Sequence, residues 1–448
     1  MTATIQELSS DLTAGRTTSV ALAEACLEAA ADPSGEGKRV FISLDRAGVL
    51  EEASLSDKRR KEGRNSSPYS GILISIKDLF DVKGQVSKAG SITLANRPPA
   101  LADASAVARL RDAGFVPIGR TNMSEFAFSG LGLNPHYGTP RNPWDRQAGR
   151  IPGGSTSGGA VSVTDGMAHV ALGTDTGGSC RIPAAFVGLV GFKPTARRAP
   201  GEGLIPLSFS LDSVGVLGPS VACCAMVDAV LSEEPAPDLA GSSVAGLRLA
   251  VLKNYVLDDI DDTVAAAFQR ALAALSRAGA VITEIVLPDL ASVPAINSRG
   301  GFPAAEAFAW HRENIAGHAK EYDPQVLLRI RRGEQQSAAD YIDLLAARRG
   351  FIDSVTKQIA MFDAFLFPTV PIVAPKLSDL ETDQAFTKIN LLALRNSTIV
   401  NLWDGCAISL PMHRPGEPPT GLTVAASAGS DKSLFRCAGA IEQVIGVH

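Results

Sequence analysis

Several large functional classes lose their usual signatures in this chain. Its six cysteines (Cys26, Cys180, Cys223, Cys224, Cys406 and Cys437) contain no C-x-x-C, which removes the zinc ribbon and the thioredoxin-like centre. Scarce cysteine, with a start that has neither a basic nor an apolar leader, leads to the expectation of a reducing, cytoplasmic setting. The six histidines, His136, His169, His311, His318, His413 and His448, are isolated and H-E-x-x-H is absent, so no metal or other cofactor is expected. No apolar run reaches about 18 residues, and no membrane span is expected. Positive charge is not in excess either: 42 Lys and Arg stand against 47 Asp and Glu, and no nucleic-acid partner is expected. The basic runs Lys58-Arg59-Arg60-Lys61 and Arg329-Ile330-Arg331-Arg332 read as solvated helix faces, the second with the alternative of lining a site for an anion. Phosphate-binding and hydrolase glycine signatures are missing too: no G-x-x-x-x-G-K-[ST], no helix-opening G-x-G-x-x-G and no G-x-S-x-G.

What the chain does have is glycine around serine. Gly153-Gly154-Ser155-Thr156-Ser157-Gly158-Gly159 is followed by Gly173-Thr174-Asp175-Thr176-Gly177-Gly178-Ser179-Cys180-Arg181, with Ser155 and Ser179 24 residues apart. Upstream, the apolar run Ile72-Leu73-Ile74-Ser75-Ile76 predicts a strand that delivers Lys77 at its end. A helix over 104–114, a strand over 115–120, a helix over 161–167 and a strand over 170–173 give a β-then-α alternation. Residues 3–31 read as amphipathic helices. Residues 232–246, rich in Pro, Ser and Gly, read as a linker, followed by a strand over 247–252 and a helix over 262–278. Residues 302–361 are mostly helical, with strands near 365–369, 406–410 and 421–425 and a closing helix over 432–445. With 448 residues and 45% apolar content, the chain can bury a large α/β core.

These parts suit acyl transfer without histidine. A serine hydroxyl needs a base to become a nucleophile, and a lysine can serve when burial lowers its pKa. Lys77 has a second reading as the ion-pair partner of Asp78. Unobstructed N–H groups in Thr176-Gly177-Gly178-Ser179 suit an anion-binding nest, although the same sequence would also make a plain glycine turn.

Taken in order, Lys77, P-G-G-S-T-S-G-G around Ser155 and G-T-D-T-G-G-S-C-R-I-P-A through Ser179 resemble the amidase signature family. Val190-Gly191-Phe192-Lys193-Pro194-Thr195, Gly119 to Phe126, Gly138 to Trp144, Phe367 to Pro371 and Asn401 to Ser409 extend the resemblance over nearly the whole chain, residues 1–448. It implies an α/β fold, a single large domain with a mixed central β-sheet covered by helices. The catalytic motifs would lie in a core over about 65–232. The implied activity is hydrolysis of a small-molecule carboxamide through an acyl-enzyme. Ser179 would be the nucleophile, Ser155 the bridging serine on a cis peptide bond and Lys77 the base. The N–H groups of Thr176, Gly177, Gly178 and Ser179 would form the oxyanion hole, and Asp175 and Arg181 would brace the loop.

Two departures and a rival qualify the match. Thr156 and Ser157 replace the usual pattern, which makes Ser157 an alternative bridge, although the 24-residue spacing favours Ser155. Cys180 follows the nucleophile and offers a rival thiol. The family also includes the A subunit of tRNA-dependent amidotransferases, which releases ammonia from glutamine for a partner. Trp403-Asp404-Gly405-Cys406 departs from the Leu-Pro-Ala type of sequence usual in those subunits. A non-catalytic scaffold is a further alternative. The substrate pocket is expected from helices over about 300–350 and the loop near 130–137. Its candidates are Met123, Gly130, Phe308, Arg332 and Tyr341, with Phe302 and Trp310 as further aromatics and Arg329, Arg331 or Arg348 as carboxylate receptors. Core packing is the other reading of the aromatics. Candidate substrates are aryl or aliphatic carboxamides and biuret-like amides, and a homodimer is possible.

Overall fold

A computed structural model describes residues 3–65 and 67–446; His448 lies outside the described residues. Eleven strands among them join in one mixed sheet. In chain order they are β1 (Phe41–Ser43), β2 (Leu73–Lys77), β3 (Val116–Thr121), β4 (Val170–Asp175), β5 (Val190–Lys193), β6 (Ser213–Gly218), β7 (Arg248–Leu252), β8 (Val281–Ile285), β9 (Ala364–Pro368), β10 (Cys406–Pro411) and β11 (Gly421–Ala426). Across the sheet they run β1-β3-β2-β4-β6-β5-β10-β11-β9-β7-β8. The two wings are parallel (β3–β2–β4 and β9–β7–β8) and the middle, from β4 to β9, is antiparallel.

Burial explains why the central strands read as unbroken apolar runs. Every residue of β2, β4, β5 and β6 is buried, because helices cover both faces of the sheet. β8 closes one edge with mostly exposed side chains, as an unpaired edge allows.

Residues 232–246 do not separate domains. They lead from the helix Val221–Ser232, which packs on β6, to β7 in the same sheet. Glu234 in this stretch pairs with Arg198 at 3.0 Å and Lys432 at 3.1 Å. The helix expected over 161–167 instead runs Ser157–Thr164, so it begins inside the glycine cluster. Strands β5 and β6 and the long helix Asp383–Trp403 are additions to the sequence reading. That helix is N-capped by Thr382, whose side chain accepts from Ala385 N–H.

One register positions the chemistry. β2 and β4 pair in parallel, with Ile74 opposite Val170, Ser75 opposite Ala171 and Ile76 opposite Leu172. Their C-terminal ends therefore finish side by side, which sets Lys77 against Thr174. Ligand sites of α/β sheets lie at such carboxyl ends.

Candidate active site

Lys77 is fully buried at the end of β2. Its Nζ donates to Ser155 Oγ at 2.8 Å, to Thr174 Oγ1 at 2.9 Å and more weakly to Thr174 O at 3.4 Å. Loss of hydration pushes its pKa down to about 8, against the opposing pull of Cys180, Asp175 and Asp212. Asp78 is not its partner. That carboxylate accepts from Arg120 Nε at 2.7 Å and from Gly90 N–H at 3.1 Å.

Ser155 enters through a cis Gly154–Ser155 peptide bond. Its loop is fixed by backbone bonds: Gly154 N–H to Gly130 O at 2.9 Å, and Ser124 N–H to Ser155 O at 3.1 Å. A Cβ on Gly154 would come within 2.5 Å of the Gly132 nitrogen, so only glycine fits there. Ser157 does not reach the lysine. It opens the following helix, and its Oγ lies 3.5 Å from Asn122 O.

After β4 the chain turns around one carboxylate. Asp175 Oδ1 accepts from Arg181 Nη2 at 2.9 Å and Asn401 Nδ2 at 3.0 Å, and Oδ2 accepts from Arg181 Nε at 3.1 Å and Cys180 N–H at 3.1 Å. Burial opposes its ionisation, but Arg181 and Lys193 outweigh that cost and hold the carboxyl well below its ordinary value. Arg181 also donates to Ser397 O at 3.0 Å and Asn401 Oδ1 at 2.6 Å. Thr176 Oγ1 donates to Asp212 Oδ1 at 2.5 Å.

The expected set of oxyanion donors needs one correction. Gly178 N–H is taken by Asp175 Oδ1 at 2.9 Å. The N–H groups of Thr176, Gly177 and Ser179 meet no acceptor among the described residues. The loop of Ser155 touches that of Ser179 through Thr156 N–H to Ser179 O at 3.3 Å. Ser179 Oγ bonds to no described residue, and Ser179 lines a cavity. Cys180, by contrast, is wholly buried, and its thiol is pushed up to about 12 by burial, which leaves it inert at neutral pH.

The cavity has a volume of about 970 Å³. Of the pocket candidates, Arg332 lies in its wall, as does Arg329. Met123, Gly130, Phe308 and Tyr341 do not. Met123 is fully buried in the core. Gly130 serves the backbone, holding Gly154 by its carbonyl and donating its own N–H to Asn390 Oδ1 at 2.9 Å. Phe308 packs against the core, and Tyr341 donates its hydroxyl to Glu306 Oε1 at 2.7 Å and meets the buried Phe302 edge-on. Trp310 also lies outside this wall, and exposed Arg331 does not line it. Arg348 instead donates to the carbonyls of Leu402, Ser210 and Asn401. The wall that sequence reasoning missed is the helix Asp383–Trp403, which supplies Asn390, Leu391, Leu394, Arg395 and Thr398. Its amphipathic alternation marks a helix but not a cavity.

Known proteins share this architecture and part of this sequence. The family model described as Amidase matches residues 23–435. The chain belongs to this family. It is 37% identical over 437 residues to 2-amino-5-chloromuconic acid deaminase of Comamonas testosteroni, across 96% of this chain and 93% of that protein. It is 30% identical over 481 residues to the A subunit of glutamyl-tRNA(Gln) amidotransferase from Streptococcus pneumoniae, across 99% of this chain and 96% of the relative. Among solved structures, a crystal structure of an amidase superposes with a TM-score of 0.89 at 32% identity, covering 99% of this chain and all of that one. Peptide amidase from Stenotrophomonas maltophilia superposes with a TM-score of 0.82 at 27% identity, covering 100% and 97% of the two chains. The protein is thus an amidase, a hydrolase acting on amide C–N bonds. Among the described residues, no helix is long and apolar enough to cross a membrane.

Proposed function

We propose that this amidase hydrolyses a small-molecule carboxamide through an acyl-enzyme on Ser179, with Ser155 and Lys77 as its proton relay. The observation that carries the reading is the 2.8 Å contact between Lys77 Nζ and Ser155 Oγ, made by a buried lysine whose pKa is lowered. Neutral Lys77 takes a proton from Ser155, which takes one from Ser179 as its oxygen attacks the amide carbonyl. The tetrahedral oxyanion forms beside the open N–H groups of Thr176, Gly177 and Ser179, which stabilise charge as it develops. The relay then runs backwards, the C–N bond breaks, and the leaving nitrogen departs protonated as ammonia or an amine. Water cleaves the acyl ester by the same route and regenerates the Ser179 hydroxyl. Asp175, pinned by Arg181, fixes the backbone of the loop and stays ionised throughout.

Ammonia release by the purified chain over aryl, aliphatic, biuret-type and glutamine amides, beside Ser179→Ala, tests this reading. Serine-dependent turnover of an amide other than glutamine supports a stand-alone amidase. Turnover of glutamine alone, or only with a partner, would favour the amidotransferase reading that the Streptococcus pneumoniae relative brings to mind. No labelling of Ser179 by a serine-directed phosphonate would overturn the nucleophile assignment.

A further inference from the structure

The arginines of this protein are nearly all accounted for. Each is either exposed or has a carboxylate oxygen within 4.0 Å, with two exceptions among the described residues, Arg329 and Arg395. Both line the cavity that holds Ser179. A half-buried cation without a counter-ion is costly unless something else supplies the missing charge, and two in one cavity wall beside the nucleophile are not explained by folding alone.

Their surroundings separate them. Arg395 donates to Asn396 Oδ1 at 3.1 Å and Val256 O at 3.3 Å, and it lies in the field of Asp258, Tyr255 and Asp259. Arg329 is far less satisfied. Its Nη1 donates to Phe128 O at 2.7 Å, and its guanidinium sits 4.8 Å over the Phe386 ring. These two contacts fix the plane of the group. They leave most of the five N–H donors of a guanidinium without an acceptor. The charges that act on it are Asp323 and the like-charged Arg332, itself in the cavity wall. Burial pushes its pKa down to about 10, so it remains charged at neutral pH.

We infer that the amide substrate carries a free carboxylate apart from its scissile C–N bond, and that Arg329 receives it, with Arg332 beside it. The inference rests on the amidase reading above. A planar fork held by an aromatic face and one carbonyl matches a carboxylate through two parallel hydrogen bonds. A singly charged group suits the site better than a phosphate, because Asp259 and Asp261 also line the wall and would oppose a dianion. The wall also includes Leu207, Leu391 and Leu394, which suits a hydrocarbon spacer between the carboxylate and the amide. The predicted substrate class is the half-amide of a dicarboxylic acid. The product is then a dicarboxylate, which a route that degrades organic acids would consume.

The test compares succinamic and adipamic acids with succinamide and adipamide. The unaltered protein should show a higher kcat/KM for at least one half-acid than for its diamide, by about tenfold or more, the scale of a charge-assisted contact. Arg329→Gln should reduce that acid-to-diamide ratio by about tenfold, mainly through KM, while Arg329→Lys should restore part of it. Binding of the half-acids to Ser179→Ala, measured by calorimetry, gives a readout that needs no turnover, and Arg329→Gln in that background should weaken it to the same degree. Salt should raise KM for the half-acid in the unaltered protein more than for the diamide, which checks the inference without any variant at Arg329. Serine-dependent turnover in which the diamide is preferred, or an acid-to-diamide ratio unchanged by Arg329→Gln, would overturn the carboxylate site and leave the amidase reading standing. Loss of all turnover with half-acid binding intact and Arg329-dependent would do the reverse. Absence of half-acid binding to Ser179→Ala would overturn the inference.

Discussion

The Asp175 carboxylate holds the Gly178 N–H at 2.9 Å, and this bond turns the chain between β4 and Ser179. Gly178 takes a φ of +127°, and a Cβ there would lie 2.2 Å from Ser397 Oγ and 2.7 Å from Ile182 Cδ1. Gly178→Ala therefore combines a disfavoured backbone conformation with a clash. The expected outcome is a stability loss of about 2–4 kcal/mol, with turnover falling by about 100-fold because Ser179 is the next residue. Urea denaturation and steady-state rates check both. A variant with unaltered stability would show that the loop has room that the geometry denies.

Asp175→Asn addresses the same loop by charge. Arg181 and Asp175 are both fully buried and joined by two hydrogen bonds. Removing the carboxylate charge leaves a guanidinium in the interior without its partner, at a cost of about 3–5 kcal/mol. The pH dependence has a fixed sign. Asp175 has a folded pKa below its ordinary 3.8, so the stability it contributes is present above that value and is lost as pH falls towards the folded one. The gap between variant and parent in urea midpoint should be full at pH 7 and shrink in acid. A gap independent of pH would point to lost shape instead of lost charge.

Sequence alone marked the strand-end lysine and the glycine–serine loops better than it marked the cavity wall, and there is a physical reason. Lys77, Ser155 and Ser179 sit in motifs whose residue types are dictated by what they must do: end a buried strand, or pass through a turn too tight for a side chain. Those constraints are local, so they survive in the order of residues. The contact between Lys77 and Ser155 spans 78 positions; the parallel register of β2 and β4 sets Lys77 against Thr174, while the Ser155 loop is held by its backbone bonds to Gly130 and Ser124. The cavity wall has no such local mark. Leu394 and Arg395 on one helix face it, while Phe308, also on a helix, packs against the core and Tyr341 meets Phe302. Gly178 shows the limit from another side. Glycine in a nest suggests a free N–H, but the acceptor that occupies it, Asp175, is three residues upstream and its orientation is set by Arg181 and Asn401.

Asp212 supports the nest from behind. It accepts from Thr176 Oγ1 at 2.5 Å and from the N–H groups of Leu207 and Ser208 at 3.0 and 3.1 Å. Burial raises its pKa to about 6, although these bonds favour the charged form. Its folded pKa lies above the unfolded 3.8, so ionising it costs the fold nothing below pH 3.8, progressively more up to about pH 6, and the full amount above. Asp212→Asn removes that cost, and its stability relative to the parent should improve between pH 4 and 7. Thr176 is held less firmly in the variant, and kcat should fall by about tenfold. Stability curves at several pH values, with rates at pH 8, separate these effects. A stability difference flat across pH 4 to 7 would mean that folding does not raise the Asp212 pKa above its ordinary 3.8.

Lys77 gives the sharpest test of mechanism, because its two roles have opposite signs. As a buried ammonium it weakens the fold. Its pKa falls from 10.5 to about 8, so below pH 8 the folded state pays to hold a charge that the unfolded state hydrates freely. That cost is on the order of 3 kcal/mol, and it fades as pH rises from 8 to 10.5. In the proposed relay it acts as the base in its neutral form. Lys77→Met keeps the length of the side chain and removes the charge, though it leaves Ser155 Oγ and Thr174 Oγ1 without a donor. The thermal midpoint at pH 7 should therefore stay level or rise, while kcat falls by about 1,000-fold or more. In the parent, kcat/KM should climb with pH and level off above about pH 8, as the neutral amine becomes the dominant form. Stopped-flow ammonia assays from pH 6 to 10, with calorimetric melting of parent and variant, measure all three quantities. A variant that loses activity only because it melts early would show a lysine needed for folding, and a rate profile flat between pH 6 and 9 would remove Lys77 from proton transfer.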